Sequence, residues 1–207
     1  MKSFGSLFIV VFVGITASWY FLLVEGVKSL NPSELDTSLQ VNGDDVTIIG
    51  HEGLAGRGQK VYRELGCVAC HTQQVRRPGY GGDFAREWGS RQSVARDYVL
   101  QDQVILGSKR LGPDLSNVGS RHEAAWFFAH LNNPSDLSEV TNMPSYPFLF
   151  EKREFSGSPS ANALVLEGND TPAEGFEIVP TDDAVALVAY LLSLNLDYDL
   201  PESKRIK

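Results

Sequence analysis

Cysteine and methionine are scarce: two of each occur in 207 residues. One methionine is the first residue, which leaves Met143 as the only internal thioether. Cys67 and Cys70 have no second cysteine pair to join them, whereas a structural zinc site needs about four nitrogen or sulfur ligands. Histidine is sparse too. Besides His71 there are His51, His122 and His130, none at paired ligand spacing. Positive charge is thin, with 18 Lys and Arg against 26 Asp and Glu and a net charge of −8. No basic stripe exists, and phosphate would repel such a surface, so nucleic acid is excluded as a partner. Internal repeats and low-complexity tracts are missing, and a single long apolar run stands where a multi-span protein would have several.

That run, Leu7 to Val24, contains no charged residue and is closed by Glu25. At about 1.5 Å per residue it reaches roughly 27 Å, enough for a bilayer core. Trp19 and Tyr20 fall near one interface, where amphipathic rings are favoured. A cleaved signal peptide, cut near Ala17-Ser18, is the competing reading. Its apolar core usually runs only about 7–15 residues, and no small-x-small site interrupts this one. A retained anchor in contact with membrane lipid is therefore expected. Lys2 and Lys28 flank both ends, so charge alone does not orient it.

The chemistry centres on Cys67-Val68-Ala69-Cys70-His71. Two intervening residues put both sulfurs on one turn of backbone, at a separation suited to the two vinyl groups of one porphyrin. The adjoining histidine then falls under the metal. One covalently bound haem c is the expected cofactor, with Cys67 and Cys70 as its tethers and His71 as an iron ligand. A thioredoxin-like dithiol would need a strand–helix junction in a parallel-sheet domain, and no alternating strand–helix pattern is visible. A disulfide between cysteines so close together would be strained.

Around this box the pattern is helical. Residues 26–52 read as a stalk with turns at Asn31-Pro32 and Asn42-Gly43 and a short strand over Val46–Ile49. Leu54, Gly58, Val61, Tyr62 and Leu65 form one helical stripe. Gly58 inside it costs about 1 kcal/mol against alanine, which suits a close approach by another backbone. The partner is a helix from Ala184 to Leu196, started by Pro180-Thr181-Asp182-Asp183, with Val185, Val188, Ala189 and Leu192 on one face. A crossing of Gly58 and Tyr62 with Ala189 and Tyr190 resembles the terminal-helix crossing of class I cytochromes c. A third helix spans Glu123 to Leu131 and stops at Asn132-Asn133-Pro134, with Trp126 and His130 on one face. Residues 151–179, rich in Gly, Ser, Pro and Asn, read as a long surface excursion.

An electron-transferring haem usually keeps both axial positions filled. Met143, in Thr141-Asn142-Met143-Pro144, is the expected second ligand; a thioether opposite an imidazole raises the iron's potential. A histidine (His130 or His122) or an open position are the alternatives. By resemblance to class I cytochromes, the Gly112-Pro113-Asp114-Leu115 segment packs Pro113 on the imidazole, and its carbonyl accepts the ring N–H.

With these residues in place the chain resembles the mono-haem subunit of cbb(3)-type cytochrome c oxidases, the C-family of haem–copper oxidases. The resemblance rests on Cys67–His71 running into Thr72-Gln73-Gln74-Val75-Arg76, Trp88-Gly89 and Ser93-Val94-Ala95. Gly107-Ser108-Lys109-Arg110 before Gly112–Leu115, Trp126 with His130-Leu131, and Asn142-Met143-Pro144-Ser145-Tyr146-Pro147 complete it. Residues 40–53 and 151–179 depart from the pattern.

It implies a mostly α protein: a single N-terminal transmembrane helix (1–25), a stalk (26–52) and a class I cytochrome c-like haem domain with long loop insertions (53–207). It also implies a non-catalytic electron-transfer subunit in the bacterial inner membrane, with its N-terminus cytoplasmic and its haem domain periplasmic. The partners would be a multi-span haem–copper catalytic subunit that reduces oxygen, and other cytochrome c subunits or a soluble cytochrome c donor. A nitric oxide reductase subunit, or a free membrane-anchored cytochrome, are the other readings. Lys109, Arg110 and Arg76 are candidates to pair with haem propionates or a neighbouring subunit, and Trp126 to hydrogen-bond a propionate or simply pack.

Overall fold

In the computed structural model, which describes residues 2–25, 50–101, 103–138, 140–166 and 171–206, the chain divides into two units, Met1–Thr47 and Ile48–Lys207. The expected stalk strand, Val46–Ile49, lies outside the described residues.

The first unit is helical. Helix α1, Lys2–Trp19, runs on through a wider π turn, Tyr20–Val24. Its Phe4–Val24 window has a mean hydropathy of 2.4 and is not buried anywhere within the described residues. A helix apolar on every side and uncovered by protein is matched to lipid rather than to water.

The second unit is built on the predicted crossing. Helix α2, Gly53–Glu64, packs on the last helix, α5, Asp182–Ser193. Gly58 makes the approach possible: a Cβ there would stand 1.9 Å from the Ala186 carbonyl oxygen and 2.8 Å from Cβ of Tyr190. The backbone contact is thus to Ala186 where Ala189 was expected. Tyr62 and Tyr190 meet with ring centroids 5.4 Å apart. Thr181 caps α5 by accepting the Ala184 N–H at 3.2 Å, and Asp182 and Asp183 sit in its first turn, where the helix dipole favours them.

Two features of α5 differ from expectation. Val185 and Leu192 are about one-third exposed, while Ala184, Ala186, Leu187, Val188, Tyr190 and Leu191 are buried. A helix apolar nearly all round offers several stripes, and packing against α2 on one side and the rest of the core on another selects the buried ones. The helix also stops at Ser193, short of Leu196. There the Leu194 carbonyl accepts the Gly119 N–H at 3.0 Å, and the Leu196 N–H goes to Asn117 Oδ1 at 2.7 Å. The 117–119 turn captures the backbone that another helical turn would have used.

Helix α3, Ala124–Asn132, and the short α4, Pro134–Leu137, complete the helical set. The surface excursion is more ordered than its composition suggested. Strand β1, Phe150–Glu154, pairs antiparallel with β2, Phe176–Pro180, Phe150 lying opposite Pro180. Nearly all of β1 is exposed and four of its five residues are charged and solvent-facing, so it carries no apolar alternation to read. Buried Glu177 ties the chain at Ser160 to the two strands, accepting from Arg153 Nε at 2.6 Å and from the Ser160 N–H and hydroxyl at 2.7 Å each.

Candidate haem site

Helix α2 ends in a left-handed Gly66 (φ 73°), and the chain turns at once into the 3₁₀ turn Cys67–Ala69. Glycine takes that conformation without a Cβ penalty. The Cys70 and His71 N–H groups both bond to the Cys67 carbonyl, at 3.1 and 2.9 Å, so the two thiols and the imidazole issue from one tight loop. Both cysteines are free and half-buried. Burial pushes the Cys67 thiol up to about 11, so it stays protonated at neutral pH.

The His71 ring is held from below. Its Nδ1 lies 2.8 Å from the Pro113 carbonyl oxygen. A carbonyl only accepts, so the proton sits on Nδ1 and Nε2 keeps a free lone pair. Burial lowers the ring's basicity, against the opposing pull of the Pro113 bond. Gly112 presses on the imidazole: a Cβ there would come within 2.3 Å of His71 Cε1. The Gly112 N–H bonds back to the Cys70 carbonyl at 3.0 Å.

Asp114, fully buried, ties this segment to the strand of chain after the box. It accepts the Thr72 hydroxyl at 2.6 Å, the Gln74 N–H at 2.8 Å and the Ser116 N–H at 2.9 Å. Gln73, also buried, accepts the Tyr190 hydroxyl at 3.0 Å and so pins α5 to the same frame. The Thr72-Gln73-Gln74 run that carried the resemblance is thus explained by internal hydrogen bonds.

His71, Cys67, Pro113 and Met143 line one open cleft. Tyr62, Leu187 and Leu191 of the crossing helices form part of its wall, and Trp126, His130 and Leu131 of α3 another part. The rings of His122, just before α3, and of Trp126 and His130 on it are stacked, with centroids 3.6 and 4.6 Å apart and planes within 8° and 14°. Trp126 therefore packs between two imidazoles. His130 is held down at about 4 by burial and by the nearby His71 and His122.

Arg110 and Arg76 share a carboxylate partner within the chain. Both bind buried Asp83, at 2.6 and 2.9 Å, and Arg110 also meets the Gln74 carbonyl and Asp114. They form an internal network, and the Lys109 side chain faces solvent. Burial alone would raise the Asp83 carboxyl, but hydrogen bonds from Arg76 and Arg110 outweigh it and hold the group at about 2. Nothing in the local sequence marked Asp83 as the centre of that network. The cation left facing the cleft is Arg121, whose Nε is buried without a hydrogen-bond partner while an Nη donates to the Asp114 carbonyl at 2.9 Å.

The donor set fits a haem: two thiols on one turn, an imidazole with Nε2 free, a thioether in the same cleft, apolar walls, and an unpartnered buried guanidinium nitrogen. Among the described residues no cluster of three His, Cys, Asp or Glu groups suits a bare metal ion.

A family model described as "cytochrome c oxidase, mono-heme subunit/FixO" matches residues 44–172, more than half of the chain. No curated protein matches.

Proposed function

The chain belongs to the family of mono-haem subunits of cytochrome c oxidases, and from that premise we propose how its residues serve an electron relay. Bound in the cleft, a haem supplies reversible one-electron chemistry at iron. Cys67 and Cys70 tether it through thioether bonds, and His71 ligates through Nε2. Met143 supplies the second ligand and biases the site toward a higher potential. Pro113 fixes the imidazole's tautomer and plane, which makes the coordinating nitrogen more basic. The apolar walls would exclude water, and with His71 and Met143 both holding the iron little would rearrange when an electron arrives.

The subunit then passes electrons from another cytochrome c, a sister subunit or a soluble donor, to the multi-span haem–copper subunit of the complex, where oxygen is reduced. The chain itself holds no catalytic residue in this scheme. Helix α1 anchors it in the bacterial inner membrane. Thioether attachment takes place on the outer, oxidising side, which puts the haem domain in the periplasm and the N-terminus in the cytoplasm.

The observation that carries this reading is the His71–Pro113 bond at 2.8 Å, which leaves Nε2 free on a ring that lines a cleft shared with Cys67 and Met143. Intact-mass spectrometry of the mature protein tests it. The expected result is the polypeptide plus one haem, with the added mass retained after denaturation and lost in Cys67→Ala/Cys70→Ala. A chain without that mass overturns the proposal. Purification in detergent with a multi-span haem–copper subunit is the expected result for the relay itself.

A further inference from the structure

Besides Cys67 and His71, the sulfur and imidazole groups lining the cleft are Met143, His122 and His130. Among the described residues, His130 is the one imidazole with a buried nitrogen, Nδ1, that has no hydrogen-bond partner. Leaving such a group dry and unpaired costs about 1–3 kcal/mol. The cost is tolerable where the ring has another task.

The ring is also rigidly set. Trp126, one turn earlier on α3, stacks on it at 4.6 Å and 14°, and His122 stacks on Trp126 in turn. The loop carrying Met143 hangs from the same helix end: the Tyr146 N–H bonds to the Leu131 carbonyl at 2.9 Å, one residue beyond His130. Within that loop the Met143 N–H is held by Thr141 Oγ1 at 3.1 Å. The end of α3 and the loop segment hydrogen-bonded to it therefore bring both an imidazole and a thioether to the lining of the cleft.

We propose that His130 is a reserve axial ligand, which binds the iron when Met143 is lost or displaced. This rests on the haem reading above. The exchange breaks one iron–sulfur bond and forms one iron–nitrogen bond; no electron moves, and the imidazole binds in its neutral form. Its consequence is protective. The site falls to a lower potential, since a thioether ligand raises it, but no coordination position opens to oxygen or carbon monoxide. A relay built this way fails by slowing, without becoming a gas-binding site.

The test uses the full-length, haem-loaded protein in detergent, with visible and electron paramagnetic resonance spectra and carbon monoxide binding to the reduced form. Wild type and His130→Phe, which keeps a ring in the stack, are expected to share a thioether-ligated low-spin spectrum. Met143→Ala is expected to stay low-spin with a bis-imidazole signature, a lowered midpoint potential and no carbon monoxide adduct. Met143→Ala/His130→Phe is expected to turn high-spin and bind carbon monoxide; if that double variant fails to load haem, His130→Gln replaces His130→Phe.

High-spin, carbon monoxide-binding Met143→Ala overturns the reserve role while leaving Met143 as ligand. A double variant that remains low-spin overturns it too, because another group has then taken the position. A wild type without the thioether signature, in which His130→Phe alone turns high-spin, makes His130 the resident ligand and overturns both the Met143 assignment and the reserve role. Absence of haem mass in every form separates failure of the haem reading itself.

Discussion

Gly58→Ala sets two known effects against each other. On helix propensity alone, alanine should stabilise α2 by about 1 kcal/mol. The added methyl, however, would lie 1.9 Å from the Ala186 carbonyl oxygen and 2.8 Å from Tyr190 Cβ. Carbon atoms rest at about 3.5–4.0 Å, and the nearer obstacle is helix backbone, which has no rotamer to swing aside. The two helices must part by about 1 Å or more. Overpacking of this kind costs about 1–3 kcal/mol, occasionally more, and the backbone contact places Gly58 at the upper end. The net effect is a loss of about 2 kcal/mol, or about 4–8 °C in melting temperature for a domain of this size. Thermal denaturation of the full-length holoprotein, followed by circular dichroism and haem absorbance, measures it. Because Tyr62, Leu187 and Leu191 line the cleft from these same helices, parting them should also widen it. A Gly58→Ala protein that melts at or above the wild-type temperature refutes the close-crossing argument, since propensity alone would then account for the result.

Met143→Leu is expected to keep its covalent haem while the midpoint potential falls; an unchanged midpoint in redox titration removes Met143 from the ligand set. Gly112→Ala drives a methyl into the His71 ring and should disturb the Pro113 hydrogen bond, seen as partial high-spin haem or reduced haem loading. The Asp83 carboxyl, held at about 2 against an unperturbed 3.8, contributes about 2 kcal/mol that is fully present above pH about 4 and is lost as pH falls through about 2. Asp83→Asn should therefore flatten the acid limb of the stability–pH curve. At neutral pH it should cost about 3 kcal/mol, because Arg76 and Arg110 lose their counter-charge; an unaltered acid limb in urea melts at graded pH contradicts the assignment.

Much of the site was legible in sequence because its chemistry is local. The C-x-x-C-H box and the Gly58–Tyr62 stripe are fixed by spacing within one or two turns, and the structure forms the expected elements there. The family match over residues 44–172 agrees with the resemblance read from the motifs. The carbonyl of Pro113 was anticipated only by resemblance, since a Gly-Pro pair is also an ordinary turn. What stayed hidden depends on distant partners. Asp83 and Arg110 are 27 positions apart, and neither residue's neighbours reveal the other. The end of α5 is set by Asn117 and Gly119, far earlier in the chain. Strand β1 shows no alternation because only its edge partner, 22 or more positions on, makes it a strand. Helix α5 was placed correctly but turned wrongly, because a helix apolar on most sides does not announce which side meets which neighbour.

The bond from His71 to Pro113 also bears on protons. A ring whose single N–H is already handed to a main-chain oxygen has none to trade with solvent on that side. In the haem reading proposed above, a change of charge at the iron would draw no proton through the His71 ring.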